Sequence, residues 1–542
     1  MNSVDALLRR LEQLNAIGAA LSKERDLASL LENILLAAKS ITHADGGTFY
    51  RTTEDGSALR AEILRNQSLN IAMGGPNGKP LVFPDLPLQQ PDGQANDALV
   101  AGYCAIHNKT VNVADAYDTA EFDFSGTQQF DARTGYRSQS FLAVPMRDHD
   151  GCVIGVLQLI NAVDPDSGEV RAFSFADQSL AESLASQAAI AMTNRNLMLQ
   201  METLFESFIS LINVAIDEKS PYTAGHCDRV PALTMMLAEA ANAMQTGPLQ
   251  SFQMDARDVY ELKIAGLLHD CGKVTTPVHV VDKQTKLQTL FDRIALIDTR
   301  FEVLKRDKEI EALKAQLALR QVQDADAEAQ LHQVFNAQVQ DLNAGRDFLR
   351  QANRGAEFMV PADLQRVKDI ASGNQWVTPE GQMAPFLDAE ELENLTIRAG
   401  TLTAKERDVI NYHIIATIKM LDQLPWPRHL KNVPEYAGGH HERMDGKGYP
   451  KGLTREQMSV QARIMGIADI FEALTARDRP YKKGMTLSEA MHIMHKFKLN
   501  GHIDPDLFDV FLSEKVYLRY AEQFLEPWQI DDVNSAQWQM AS

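Results

Sequence analysis

Five short segments beyond residue 220 hold residue types that bind metal ions. They are His226 in YTAGHCDRV, the pair His269-Asp270 in LLHDCGK, His413 in INYHIIAT, the pair His440-His441 in GGHHERMDGKGYP, and Asp469 in MGIADIFEALT. Imidazole and carboxylate together suit first-row ions such as iron, manganese, nickel or zinc, rather than the all-oxygen cages of calcium. Most of these residues interrupt apolar, helical sequence: His269-Asp270 closes the run IAGLLHD, and Asp469 follows IMGIA. Burying such a group without a partner is costly, and a metal ion removes that cost. A lone histidine in this setting reads better as a hydrogen-bonded core or surface residue. A vicinal His-Asp and a vicinal His-His, both in apolar context, favour metal for the set. Residue types and spacing alone lead as far as a phosphohydrolase.

LLHDCGK, then HHERMDGKGYP, then IADIFEALTARDRPYKK resemble, in that order, the HD-GYP family of cyclic di-GMP phosphodiesterases, a branch of the HD metal-dependent phosphohydrolases. The resemblance covers roughly residues 205–287 and 400–515, and HHExxDGxGYP is its most specific part. It implies an all-α catalytic domain over 205–525 that holds two divalent ions, iron or manganese first, with nickel or zinc as alternatives. It also implies hydrolysis of cyclic di-GMP to linear pGpG, with a further cut to GMP left open. Position by position, the implied metal ligands are His226, His269, Asp270, His413, His440, His441 and Asp469, with Asp270 as the catalytic bridge. Lys273, one turn past the pair, matches a lysine near the scissile phosphate and is assigned to catalysis and substrate binding. Gly448, Tyr449 and Pro450 match the GYP loop, which shapes the pocket and meets protein partners. Arg479 and Lys482 match basic positions near the substrate phosphates. Tyr222 stands where some members place a carboxylate for a third metal, so two ions are expected. The alternative is a non-catalytic signalling protein that binds cyclic di-GMP or a partner through the GYP surface. Such relatives are expected to lose the HD or HH pair, and all seven ligand positions are filled here.

Ahead of this region, NKTVNVADAYDTAEFD, TGYRSQSFLAVPMRDHDGCVIGVLQLINA and FSFADQSLAESLASQAAIAM resemble a GAF domain over residues 23–195. That implies an α+β sensory fold, an antiparallel sheet with flanking helices. Cyclic-nucleotide-binding members carry Asn-Lys, then Phe, then Asp-Glu. Here Asn161-Ala162, Phe173 and Asp177-Gln178 stand in those places, so the lysine and glutamate are changed. The ligand of this domain is left as an unknown small molecule or none.

The elements that must position these residues follow from pattern. Val4, Leu7, Leu11 and Leu14 mark an amphipathic helix within residues 1–22. GGTFYRT, SFLAVPMRD and CVIGVLQLINA read as strands, the last two as a hairpin through His149-Asp150-Gly151. Residues 66–100, rich in Pro, Gly and Asn, read as a surface loop or pocket cover. Ile190, Leu197, Met201, Leu204, Phe208, Leu211 and Ala215 hold a heptad seam broken only at Asn194. A connecting helix over 190–216 would then join the two domains and pair with its copy in a homodimer, or else pack as a core helix within one subunit. Residues 288–399 read as a helical insertion, a hairpin or short coiled coil. In it Ile294, Ile297, Phe301 and Leu304 keep heptad spacing, and Ile310, Leu313 and Leu317 resume it after a slip.

Bulk composition bounds the rest. A chain of 542 residues with 45% hydrophobic and 23% charged content is folded protein of more than one domain. A formal charge of −20 argues against non-specific binding of nucleic acid polymer or an anionic membrane, though not against an anionic substrate at a metal site. Cys104, Cys152, Cys227 and Cys271 form no CxxC pair, which suits a reducing compartment. The first residues lack the apolar core of a signal peptide, and no stretch reads as long enough to cross a bilayer. A cytoplasmic protein is expected.

Overall fold

The runs SFLAVPMR and VIGVLQLINAV are apolar at nearly every position, which requires a sheet buried on both faces. The protein is represented by a computed structural model that describes residues 12, 14–21, 24, 26–91, 93–219, 225–322, 325–355, 358–477 and 484–533. It divides into two units at Leu204 and Phe205.

The first unit holds strands β1 (Ala44–Thr52), β2 (Ala58–Asn66), β3 (Ile71–Gly74), β4 (Leu86–Pro87), β5 (Val111–Val113), β6 (Phe141–Arg147), β7 (Val153–Val163) and β8 (Val170–Arg171). All pair antiparallel in the order β3-β2-β1-β7-β6-β5, with β4 on β2 and β8 on β7. Helices α1 (Leu27–Thr42), α2 (Val100–His107), α3 (Ser125–Thr134) and the start of α4 (Phe175–Lys219) complete the unit. Side chains alternate across the strands. Leu142, Val144, Leu157 and Leu159 pack with Ile34 and Leu35 of α1 and Leu184 and Ala188 of α4. Phe141, Ala143 and Val156 face the opposite core with Val100, Cys104, Phe122 and Phe124. Covering both faces explains the unbroken apolar runs. The β6–β7 hairpin turns with Gly151 at φ +80°, where a side chain would be strained.

One expectation changes here. Residues 66–100 are partly built into the sheet, because β3 and β4 both pair with β2. Of the amino-terminal helix, Leu14 and Leu21 are buried against the sheet core, while Val4, Leu7 and Leu11 lie outside the described residues. Asn161 is committed to the fold: its Oδ1 accepts from the Gln139 and Ser140 amides, and its Nδ2 donates to Arg137 O and Tyr136 Oη.

Helix α4 is one continuous helix of 45 residues. Ile190, Leu197, Met201, Leu204, Phe208 and Leu211 are exposed along one side, as is Asn194. Ile209, Asn213 and Ile216 are buried on the other. By length and composition alone, α4 is also apolar enough to cross a bilayer, contrary to the reading that no stretch was. Its apolar residues are spread by the heptad spacing, which masks the run from inspection.

The second unit contains α5 (His226–Asn242), α6 (Ala256–Leu268), α7 (Val278–Val281), α8 (Ile294–Val322), α9 (Ala325–Asn353), α10 (Pro361–Gly373), α11 (Ala389–Leu395), α12 (Ala404–Leu421), α13 (Val433–Gly438), α14 (Val460–Thr475), α15 (Leu487–Leu499), α16 (Pro505–Ser513) and α17 (Val516–Phe524). Leu233 and Leu237 of α5, Leu262 of α6, Ile464 and Phe471 of α14, and Phe508, Phe511 and Tyr520 share its main core. The ligand-bearing helices start on sequence-encoded caps. Asp255 and Asp258 form a capping box at α6, Thr403 and Glu406 form one at α12, and Ser459 caps α14.

The insertion has its own core. Ile297, Phe301 and Leu304 of α8 meet Leu342 and Leu349 of α9, with Phe386, Leu387 and Leu395 closing the base. It also carries a two-stranded hairpin, β9 (Gln375–Val377) with β10 (Met383–Pro385), so this unit is not wholly helical. Ile310, Leu313 and Leu317 do not continue the seam; each is about half exposed or more, turned away from the packed face. At the root, buried Lys283 donates to Glu406 at 2.7 Å and to Asn394 at 2.8 Å. Lys286 donates to Ile397 O and Leu395 O, and burial pushes its amine down to about 8.

Replacing residues 288–399 by a short flexible linker therefore removes a segment that packs largely on itself. The product is expected to stay folded and to match the full chain in metal content by plasma mass spectrometry. Loss of the metal would place the segment within the catalytic fold.

Candidate metal centre

His269 caps α6, and Asp270 begins the 3-10 turn Cys271–Thr275. The turn lies hard against α12: a Cβ on Gly272 would sit 2.0 Å from His413 O and 2.5 Å from Thr417 N. Thr417 Oγ1 accepts from the Gly272 amide at 2.9 Å and donates to His269 O at 3.2 Å. The glycine of LLHDCGK thus lets the His-Asp pair and His413 share one space. His226 is the first residue of α5, and Asp469 lies on α14, which packs on α5.

Two triads result, His226–His269–Asp270 and His413–His440–His441, each with its ligand atoms within 4.8 Å of one another. The carboxylates span them. Asp270 Oδ2 is 3.0 Å from His226 Nε2 and 3.3 Å from His269 Nε2, while its Oδ1 is 3.4 Å from His413 Nε2. Asp469 Oδ1 is 3.3 Å from His226 Nε2, and its Oδ2 is 3.9 Å from His441 Nδ1. His226, His269, Asp270, His413 and His440 are buried, whereas the side chains of His441 and Asp469 are 23% and 14% exposed. The centre is therefore open on the side of those two residues, next to the 20% exposed Lys273.

The imidazoles are aimed from behind. His269, His413 and His440 each bond through Nδ1 to the carbonyl three residues earlier, Gly266, Ile410 and Ala437. His226 Nδ1 lies 2.6 Å from Glu472 Oε2, and Arg229 holds the other Glu472 oxygen at 2.8 Å. An Nδ1–H donated outward leaves the Nε2 lone pair facing inward, as in metal-ligating histidines. His440 Nε2 is buried with no hydrogen-bond partner among the described residues. Such an orphaned acceptor, among other inward Nε2 atoms and two carboxylates, fits a divalent cation.

Charge supports that fit. Burial, helped by His441 and His269, holds the His440 imidazole well below its ordinary pKa. Burial pushes His441 down to about 4 and lowers His413. Burial opposes ionisation of Asp270, yet Lys273 and His269 keep it well below the usual carboxylate range. Burial likewise opposes Asp469, and His226 and His440 outweigh it. His226 is driven the other way: against burial, Glu472, Asp270 and Asp469 hold it well above its ordinary value. Three carboxylates converging on one imidazole make a field that a cation satisfies.

Around this core the GYP loop is pinned by Glu442, whose carboxylate accepts from the Lys451 and Leu453 amides. Gly448 has no room for a side chain, since a Cβ would lie 2.4 Å from Arg443 N and from Glu442 Cα. Pro450 follows through a cis peptide, and the Tyr449 ring stacks on His441 with centroids 4.8 Å apart. Lys273 Nζ lies 2.5 Å from Asp270 Oδ2. Cys227 and Cys271 are buried and burial raises both thiols, Cys271 to about 11, so neither is poised as a thiolate.

Residues 26–192 match the family model of the GAF domain, and residues 389–507 match that of the HD domain. The chain carries a GAF domain and an HD domain. The HD match holds His413, His440, His441 and Asp469; His226, His269 and Asp270 lie ahead of it, before the insertion. A 3'3'-cGAMP-specific phosphodiesterase of Vibrio cholerae is 48% identical over 87 residues, 16% of this chain and 20% of that protein. A cyclic di-GMP phosphodiesterase of Pseudomonas aeruginosa is 49% identical over 74 residues, 14% of this chain and 17% of that protein. The chain thus spans about a fifth of the length of these curated relatives. A second Vibrio cholerae protein, named "Probable cyclic di-GMP phosphodiesterase", is 26% identical over 402 residues, 70% of this chain and 82% of its own length.

The structure brings the seven proposed ligands, Lys273 and Tyr449 together, with Gly448 and Pro450 shaping the loop beside them. Arg479, Lys482 and Tyr222 lie outside the described residues. Glu472 and Arg229 are the pair that sequence reasoning missed. The available signal was spacing: Glu472 follows Asp469 by three residues on α14, and Arg229 follows His226 by three on α5. Glu472→Ala is expected to weaken metal binding by roughly 10–100-fold in a competition titration. It should also cost about 3–5 kcal/mol in a denaturant melt, because it removes the buried carboxylate that pairs with both His226 and Arg229. Unchanged affinity and stability would remove Glu472 from the centre.

Proposed function

We propose that this chain is a metal-dependent phosphodiesterase that opens cyclic di-GMP to linear pGpG. The observation that carries the reading is the placement of Asp270 and Asp469, each with its two oxygens directed at different histidine groups. A carboxylate so placed suits a pair of ions sharing a bridge. The names of the relatives support the substrate class, since cyclic di-GMP and 3'3'-cGAMP are both cyclic dinucleotides.

His226, His269, Asp270, His413, His440, His441 and Asp469 would hold the ions, iron or manganese by preference. When bound, two divalent ions supply an activated water and Lewis-acid polarisation of the phosphoryl group. The protein's own share is positioning and charge. The four Nδ1 bonds fix the rings before substrate arrives. Lys273, beside Asp270 on the open side, places positive charge where the phosphorane-like transition state gains negative charge. Tyr449 walls His441 and, with Gly448 and Pro450, borders the substrate's entry. Arg479 and Lys482 would meet its phosphates. The two ligand carboxylates are outweighed by a divalent pair and Lys273, so the centre attracts a dianionic substrate despite the acidic surface. The GAF domain would regulate this activity through α4.

Purified protein loaded with iron or manganese is expected to convert cyclic di-GMP to pGpG, followed by chromatography, with 3'3'-cGAMP as a parallel substrate. Replacing His269 and Asp270 together by Ala should lower the rate by at least about 10³-fold. Full activity in that metal-depleted double variant would contradict the proposal.

A further inference from the structure

The last turn of α4 touches two of the ligand-bearing segments of the second unit. Asp217 Oδ2 accepts from the Gly225 amide at 3.3 Å, immediately before His226. Lys219 Nζ donates to the carbonyls of Lys273 at 3.2 Å and Val274 at 2.5 Å. The Lys273 carbonyl also accepts from the Thr276 amide at 3.1 Å, and both carbonyls lie at the end of the 3-10 turn Cys271–Thr275, where a cation is favoured. Lys219 also extends the line of Ile209, Asn213 and Ile216, the face of α4 buried in the unit. The same turn starts at Asp270 and carries Lys273, whose ammonium sits on Asp270 Oδ2.

We propose that Lys219 is a positioning residue for Lys273: it clamps the 271–276 turn to the end of α4 and so sets where the Lys273 ammonium stands. The inference rests on the proposed role of Lys273, and it goes beyond it by naming the contact through which α4 acts. A shift of the helix end would be felt first at two carbonyls, one of them Lys273's own. Charge-assisted bonds of this kind are shorter and stronger than neutral ones and are lost with small displacements.

The test uses the full-length, metal-loaded protein. Lys219→Met keeps the aliphatic stem and removes the donor. It is expected to speed amide hydrogen exchange across 271–276 about tenfold and to lower kcat about tenfold, with KM and metal content within about twofold. Lys219→Arg should restore both. In a Lys273→Met background, Lys219→Met should add less than about a twofold further loss, because the two act as one unit. Unchanged exchange across 271–276 overturns the inference. So does faster exchange with unchanged kcat, or a full tenfold loss repeated in the Lys273→Met background. If the wild-type protein is inert towards cyclic di-GMP, the proposed function falls and the exchange arm alone decides whether Lys219 clamps the turn.

Discussion

Asp270 is a carboxylate with only 3% of its side chain exposed, set among imidazoles in a helical interior. Effective penalties for burying such a charge run to several kcal/mol, and they are met only when partners are held in place. Most local features of the second unit serve that demand. The Gly272 crossing brings α12 within reach, Lys273 supplies a counter-charge, and three backbone carbonyls orient three rings. The Glu472–Arg229 pair extends the network outward, so that His226 is oriented by a group that is itself held. Burial pushes Glu472 up, but His226 and Arg229 bring it down to about 2.

The arrangement also separates rigid from accessible parts. His269 and His440 are enclosed, whereas Lys273, His441, Tyr449 and Asp469 line the open side. The loop that carries Tyr449 has little freedom, because Glu442 holds two of its amides and Gly448 packs onto backbone. A site of this form can be closed to water behind and open to an anionic ligand in front. The insertion enters and leaves between the HD turn and α12, none of its described residues belongs to the two triads, and the Lys283–Glu406 bond closes its root at the start of the helix that bears His413.

The seven proposed ligands were legible because their types are rare in apolar sequence and their order matches a specific motif. The sheet was legible because a strand buried on both faces must be apolar throughout, as in FLAVPM. Other features were hidden for physical reasons. Glu472 acts on the far nitrogen of a ligand, a role that residue type does not reveal. Ile310, Leu313 and Leu317 keep helical spacing, but spacing does not say which side of α8 faces α9. The strands β3 and β4 are too short and too poor in β-branched residues to stand out from the loop around them. The apolar character of α4 was diluted by its polar face.

The central claim is that Asp270 and Asp469 join two cation sites within one pocket. Anomalous diffraction at the metal edge, on crystals of the metal-loaded protein, tests it most directly. The account predicts two ions per chain about 3.5–4 Å apart, one beside His226 and His269 and the other beside His413, His440 and His441. A single ion, or two ions too far apart for one carboxylate to bridge, would contradict it.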